Sequence, residues 1–96
     1  MGKKESEKLI ERKLKREVEK LGGYCFKMVT IHISGLPDRL CLFPGGRIAF
    51  VETKSTRDNP SAIQRVWHRK LRRIGFLVEI IDQSYQIDEL INKFKN

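Results

Sequence analysis

Long apolar segments are missing from this sequence. No apolar run approaches the roughly 20 residues that a membrane-spanning helix needs. The first residues, MGKKESEK, are polar and contain no apolar core of a signal peptide. These absences argue against an integral membrane protein and predict a soluble protein inside the cell.

Cysteine is also scarce. Cys25 and Cys41 are the two cysteines, and both fall among apolar residues in predicted strands, where a free thiol behaves as a small hydrophobic side chain. No CxxC pair or Cys/His cluster suggests zinc. Two cysteines make no disulfide framework, although one bond between them stays possible. We expect buried thiols in a reducing cytoplasm.

Acidic residues are outnumbered by basic ones. The chain has 12 Asp and Glu against 20 Lys and Arg, a net charge of +8. This excess indicates a polyanionic partner, either nucleic acid or an anionic membrane surface, with solubility and nonspecific binding as the alternative. The 96 residues fit one domain spanning 1–96. A domain of this size often gains stability by forming a dimer.

The apolar periodicity predicts an α/β fold with the order α-β-β-β-α-β-α. The predicted elements are a helix over 4–21, strands over 24–31, 38–43 and 47–54, a helix over 61–74, a strand over 76–82 and a helix over 85–94. Pro44-Gly45-Gly46 predicts a hairpin between the second and third strands. A hairpin followed by a helix and another strand favours a mixed β-sheet flanked by helices.

The segment FVETKS places an acid and a base on one strand. Strand side chains alternate between faces, so Glu52 and Lys54 share a side with Ile48 and Phe50. The predicted hairpin brings the start of one strand beside the end of the next, which places Asp38 near Glu52 and Lys54. Two converging carboxylates can bind a hard divalent cation. The sequence therefore predicts a metal site at this strand end.

These motifs together resemble the PD-(D/E)XK nuclease superfamily. The PD pair is at 37–38 and the ExK at 52–54. The stretches SGLPD, FVETKS and SAIQRVWHRKLRRIGFLVEII look most like the virus-type replication-repair nuclease (VRR-NUC) domain, with Gln64 at the family's helix glutamine. An acid on the first helix before Gly-Gly is similar to archaeal Holliday-junction resolvases. The resemblance covers about residues 5–82.

The resemblance implies a ligand set for Mg²⁺ or Mn²⁺. Asp38 and Glu52 would bind the metal, with the carbonyl of Thr53 as a further ligand. Glu11 would be the acid of the first helix that reaches the site. Glu7 also lies on the inner face of that helix and stays open as the alternative, and the number of metals is open as well.

The resemblance also implies catalytic and supporting roles around the metal. Lys54 would position or activate the attacking water, and Gln64 would support the site from the basic helix. His68, four residues after Gln64, faces the same side and is at most a neighbour of the ligands, whereas His32 is a loop residue. The side chains expected to contact DNA phosphates are Arg65, Arg69, Arg72 and Arg73.

The implied function is a metal-dependent, structure-selective DNA endonuclease. Its expected substrate is branched DNA, especially four-way (Holliday) junctions, in phage or mobile-element replication and repair. A homodimer would present two sites to two strands. We expect no membrane and no small-molecule substrate, and a cytoplasmic location in a bacterium or a phage-infected host. The alternative is a noncatalytic basic nucleic-acid-binding module on the same fold. A restriction-type nuclease is less favoured, because 96 residues leave little room for base-reading loops.

Overall fold

A computed structural model describes residues 3–29 and 32–95. The elements are α1 (Glu7–Lys20), β1 (Tyr24–Lys27), β2 (Arg39–Phe43), β3 (Arg47–Thr53), α2 (Ala62–Arg73), β4 (Leu77–Ile81) and α3 (Ser84–Phe94). The predicted order α-β-β-β-α-β-α is confirmed. Within the described ranges, no helix is long and apolar enough to cross a membrane.

Strand β1 is shorter than the predicted span of 24–31. It ends at Lys27, and residues 30 and 31 of the prediction lie outside the described residues. After Lys27, the Met28 N–H still donates to the Asp38 carbonyl over 2.8 Å. Its partner strand β2 begins at Arg39 and is preceded by a loop, so the strand pairing stops here.

The four strands form one mixed sheet in the order β1-β2-β3-β4. β1, β2 and β3 pair antiparallel, and β3 pairs parallel with β4 after the chain crosses over through α2. In the β2–β3 hairpin, Arg39 lies opposite Val51, so Asp38 meets the carboxyl end of β3. Gly45 and Gly46 close this hairpin with φ of 85° and 73°, a left-handed conformation that favours glycine.

The main core lies between the sheet and the pair α1 and α3. Its fully buried members come from α1, the sheet and α3 and include Ile10, Leu14, Val18, Cys41, Ala49, Val51, Ile87 and Leu90. Cys25 and Cys41 face each other across β1 and β2 with sulfurs 3.8 Å apart, and both are free thiols. The prediction of buried thiols is confirmed.

The two faces of β3 serve different layers. Val51 and Thr53 are buried on the side of α1, whereas Phe50 and Glu52 point to the side of α2. Phe50 meets Phe76, just before β4, edge to face with ring centroids 5.3 Å apart. Because β3 ends at Thr53, side chains from both layers can converge at its carboxyl end.

Candidate active site

Asp38 is held in place by the end of β3. Its Oδ1 accepts a hydrogen bond of 2.7 Å from the Thr53 N–H, and its Oδ2 accepts one from the Thr53 hydroxyl. The same hydroxyl lies 3.4 Å from Glu11 Oε1. Thr53 therefore joins the two acids through its N–H and hydroxyl, whereas its carbonyl was the group implied as a metal ligand.

Three carboxylates converge around this point. Glu7, Glu11 and Asp38 each have an oxygen within 4.8 Å of the others. Partial burial and the neighbouring Glu11 and Asp38 raise the pKa of Glu7 above its ordinary value. Both helix acids that the sequence left open are thus in the cluster, and their mutual repulsion favours a bound cation.

Glu52 approaches the cluster from the other face of the sheet. It is 3% exposed. Burial and the negative charge of Asp38 raise the pKa of Glu52 to about 7, although Lys54 opposes that shift. Glu52 is outside the group of three acids with oxygens within 4.8 Å, but it is close enough to Asp38 for the two charges to interact.

Lys54 shares a side with Glu52, as the strand alternation predicted. Its Nζ lies 4.0 Å from Glu52 Oε2. The Lys54 N–H donates to the Ile81 carbonyl over 2.9 Å, so pairing with β4 continues one residue beyond β3. The Lys54 side chain is partly buried, with 20% of it exposed beside Glu52.

Arg39 is a member of the site that the sequence reasoning missed. Its Nη2 lies 2.8 Å from Glu11 Oε2, and its Nε lies 3.5 Å from Asp38 Oδ2. Burial is the largest single influence and would raise the pKa of Glu11, but the hydrogen bond and charge of Arg39, together with hydrogen bonds to Glu7 and Thr53, lower that pKa below its ordinary value. The available signal was its position directly after Asp38, at the start of a strand that borders the site.

Gln64 reaches the site because it closes the N-terminus of α2. Ser61 Oγ accepts from the Gln64 N–H over 3.3 Å, and Gln64 Oε1 accepts from the Ser61 N–H over 2.8 Å. This capping box fixes the amide group. The remaining Gln64 Nε2 donates to Glu52 Oε2 over 3.3 Å.

Known proteins share this arrangement of helices and strands. No protein-family model matches the chain. A solved structure titled "VRR_NUC domain" superimposes with a TM-score of 0.85 at 30% identity, covering 95% of this chain and 100% of that one. The "Putative nuclease p44" of Acyrthosiphon pisum secondary endosymbiont phage 1 is 40% identical over 75 residues, 78% of this chain and 81% of that protein. The chain belongs to the VRR-NUC family. It is therefore a nuclease by family.

The acids of this VRR-NUC chain fit a hard divalent cation. Carboxylate oxygens are the ligands that Mg²⁺ and Mn²⁺ prefer. Three of them lie close enough together to contact the same ion. The donor set contains no thiolate and no imidazole. A nuclease fold with this acidic cluster is consistent with the use of a divalent metal.

The arginines of the basic helix α2 in this VRR-NUC fold differ in their contacts. Arg65, Arg69 and Arg73 are exposed on α2. Arg72 instead donates from Nη2 to the Val78 carbonyl over 2.7 Å and so ties α2 to β4. His68 is buried at 1% exposure and faces Glu52, whereas His32 is exposed in the loop before β2.

Proposed function

We propose that residues 1–96 act as a Mg²⁺- or Mn²⁺-dependent endodeoxyribonuclease that hydrolyses phosphodiester bonds. The observation that carries the proposal is the meeting of Asp38, Glu52 and the α1 acids with Lys54 at the carboxyl end of β3. The preferred substrate is branched DNA, in particular four-way junctions. The protein acts in the cytoplasm of a bacterium or a phage-infected host, in replication and repair.

Asp38, Glu52 and Glu11 would hold the metal, with the carbonyl of Thr53 as a further ligand. Glu7 is the alternative helix acid, and the ion pair between Glu11 and Arg39 is the observation that favours it. When bound, the metal supplies Lewis-acid activation of the phosphodiester and of the attacking water.

Lys54 and the arginines of α2 supply the positive charge that binding to DNA phosphates requires. The Lys54 ammonium can hydrogen-bond a water or a phosphate oxygen and stabilise the negative charge that develops at phosphorus. Gln64 orients Glu52 through its Nε2. The phosphate contacts are assigned to Arg65, Arg69 and Arg73, with Arg72 at the edge of that surface.

The enzyme works as a homodimer, so that two sites can cut two strands. Tyr24 and Phe26 on the edge strand β1 are 62% and 50% exposed, and their rings stack at 6.2 Å. They face away from α1, opposite Leu42 and Leu40 of β2. An exposed apolar surface of this kind favours burial against a second copy. Analytical ultracentrifugation of the wild type and Phe26→Ser tests the proposed dimer. We expect the variant to dissociate into monomers.

A noncatalytic DNA-binding module is the second candidate. The observation in its favour is Arg39, whose guanidinium already neutralises Glu11. The presence of both acids and the lysine favours catalysis instead. Tight DNA binding without cleavage under any metal would support the module.

The test is a cleavage assay on a labelled four-way junction, a flap and a linear duplex. It is run with Mg²⁺, Mn²⁺ or EDTA. We expect metal-dependent cutting of the junction, lost in Asp38→Ala and reduced by about 10²-fold or more in Lys54→Ala. Asp88→Ala is the matched control, because Asp88 of α3 pairs with Lys13 and is not part of the acid cluster. Cutting that persists in Asp38→Ala would contradict the proposed site.

A further inference from the structure

The buried face of α2 brings a histidine against Glu52. His68 is 1% exposed, and its Nε2 lies 3.5 Å from Glu52 Oε1. Both atoms are inaccessible to water and have no hydrogen-bond partner within the described part of the chain. A buried polar atom without a hydrogen-bond partner costs free energy. Two such atoms that face each other therefore indicate an interaction between them.

The distance between His68 Nε2 and Glu52 Oε1 is a few tenths of an ångström longer than a normal hydrogen bond of about 2.7–3.2 Å. A proton on Nε2 would point at the carboxylate, whereas the other neutral tautomer would set two lone pairs against each other. Burial, with the charges of Arg72 and Lys54, lowers the pKa of His68. The neutral ring and the imidazolium can both donate from Nε2.

The two oxygens of Glu52 then have separate donors from one helix. Gln64 and His68 are one turn apart on α2, so they face the same direction. Gln64 Nε2 approaches Oε2 and His68 Nε2 approaches Oε1. A carboxylate held at both oxygens keeps a single orientation while its remaining lone pairs stay available to a cation.

We propose that His68 is a positioning residue that fixes the Glu52 carboxylate for metal binding by donating from Nε2 to Oε1. This inference rests on the proposed function, since it requires Glu52 to be a metal ligand. Partners that orient a metal-binding side chain typically change metal affinity by about 10–100-fold when they are removed. We expect a loss of that size at His68.

The experiment separates the donor from the bulk of the side chain. His68→Phe keeps an aromatic ring without a donor, and His68→Gln keeps an N–H at a similar reach. Mn²⁺ affinity is measured by isothermal titration calorimetry on each protein without DNA, after thermal unfolding in EDTA has shown that it folds. We expect His68→Phe to bind Mn²⁺ about 10–100-fold more weakly and His68→Gln to stay within a few-fold of wild type. His68→Leu replaces His68→Phe where the latter does not fold.

The opposite pattern overturns the inference. If His68→Phe binds Mn²⁺ like the wild type, or His68→Gln loses as much as His68→Phe, His68 is a packing residue. In either case a wild type that binds Mn²⁺ and cuts DNA leaves the proposed function intact. A wild type that binds no Mn²⁺ overturns both this inference and the proposed function. A Mn²⁺-binding signal that persists in Asp38→Ala arises away from the site.

Discussion

At the scale of single residues, Glu52 is a buried acid whose ionisation should be coupled to folding. Its pKa is raised from 4.5 to about 7 in the folded protein by burial and by Asp38. Between these two pH values the unfolded chain has lost this proton and the folded chain still holds it. The free energy of unfolding of the metal-free protein should therefore fall as pH rises from about 4.5 to about 7 and change little above that range.

Glu52→Gln should remove this pH dependence. Urea denaturation in EDTA measures the free energy of unfolding at each pH. Between pH 5 and pH 8 we expect it to fall more in the wild type than in the variant, by on the order of 2 kcal/mol. Glu79→Gln is the control, because Glu79 pairs with Lys93 away from the site and should follow the wild type. Equal losses in wild type and Glu52→Gln would show that the buried carboxyl ionises normally.

The sequence could predict positions along a strand better than contacts between layers. The two-residue alternation and the hairpin were sufficient to bring Asp38, Glu52 and Lys54 to one strand end. The Arg39–Glu11 pair and the His68–Glu52 contact depend on how α1 and α2 pack on the sheet. No local pattern encodes that packing.

At the scale of the elements, the N-terminus of α2 combines capping with the site. The Ser61 hydroxyl caps the Gln64 N–H, while the Ser61 N–H holds the Gln64 side chain. Ser61→Ala should remove the cap and leave that second bond. We expect a loss of about 1 kcal/mol, a drop in Tm of roughly 4–8 °C for a domain of this size, with Mn²⁺ affinity unchanged. Ser61→Thr is the control, and an unchanged Tm in Ser61→Ala would show that the box does not stabilise the helix.

The exposed arginines of α2 should govern the salt dependence of DNA binding. Combining Arg65→Ala and Arg69→Ala should reduce the slope of log K against log[salt] by about 2, since each duplex phosphate contact contributes roughly 0.9. Binding to a linear duplex in EDTA, followed by fluorescence anisotropy over a salt series, measures this. Arg16→Ala with Lys20→Ala removes the same charge from α1, where both residues pair with Glu17. An equal change in that control would mean that net charge alone is responsible.

Element order followed from apolar periodicity, but the end of β1 did not. Met28 is apolar and Val29 is β-branched, which favours a strand, yet the structure ends β1 at Lys27. The pairing stops near the start of the partner strand β2 at Arg39, because a loop precedes that strand. Strand length depends on the neighbouring strand as well as on the strand's own residues.

At the scale of the whole molecule, acidic charge is concentrated at one point of a basic protein. Glu7, Glu11, Asp38 and Glu52 supply four of the 12 acidic residues in a chain of net charge +8. Burial is the main cause of the raised pKa values of Glu7 and Glu52, and the negative charges of neighbouring acids raise both further. The metal-free fold therefore bears a repulsion that a bound cation would relieve.

Mn²⁺ should therefore stabilise the whole fold. Because a ligand that binds the folded state alone stabilises it by RT ln(1 + [L]/Kd), Mn²⁺ at 100 times Kd adds about 2.7 kcal/mol. For a domain of this size that corresponds to a Tm increase of roughly ten degrees or more. Thermal unfolding over a Mn²⁺ series measures it. Asp38→Asn should flatten the response and Asp88→Asn should preserve it, whereas equal Tm shifts in both variants would place the bound metal elsewhere on the molecule.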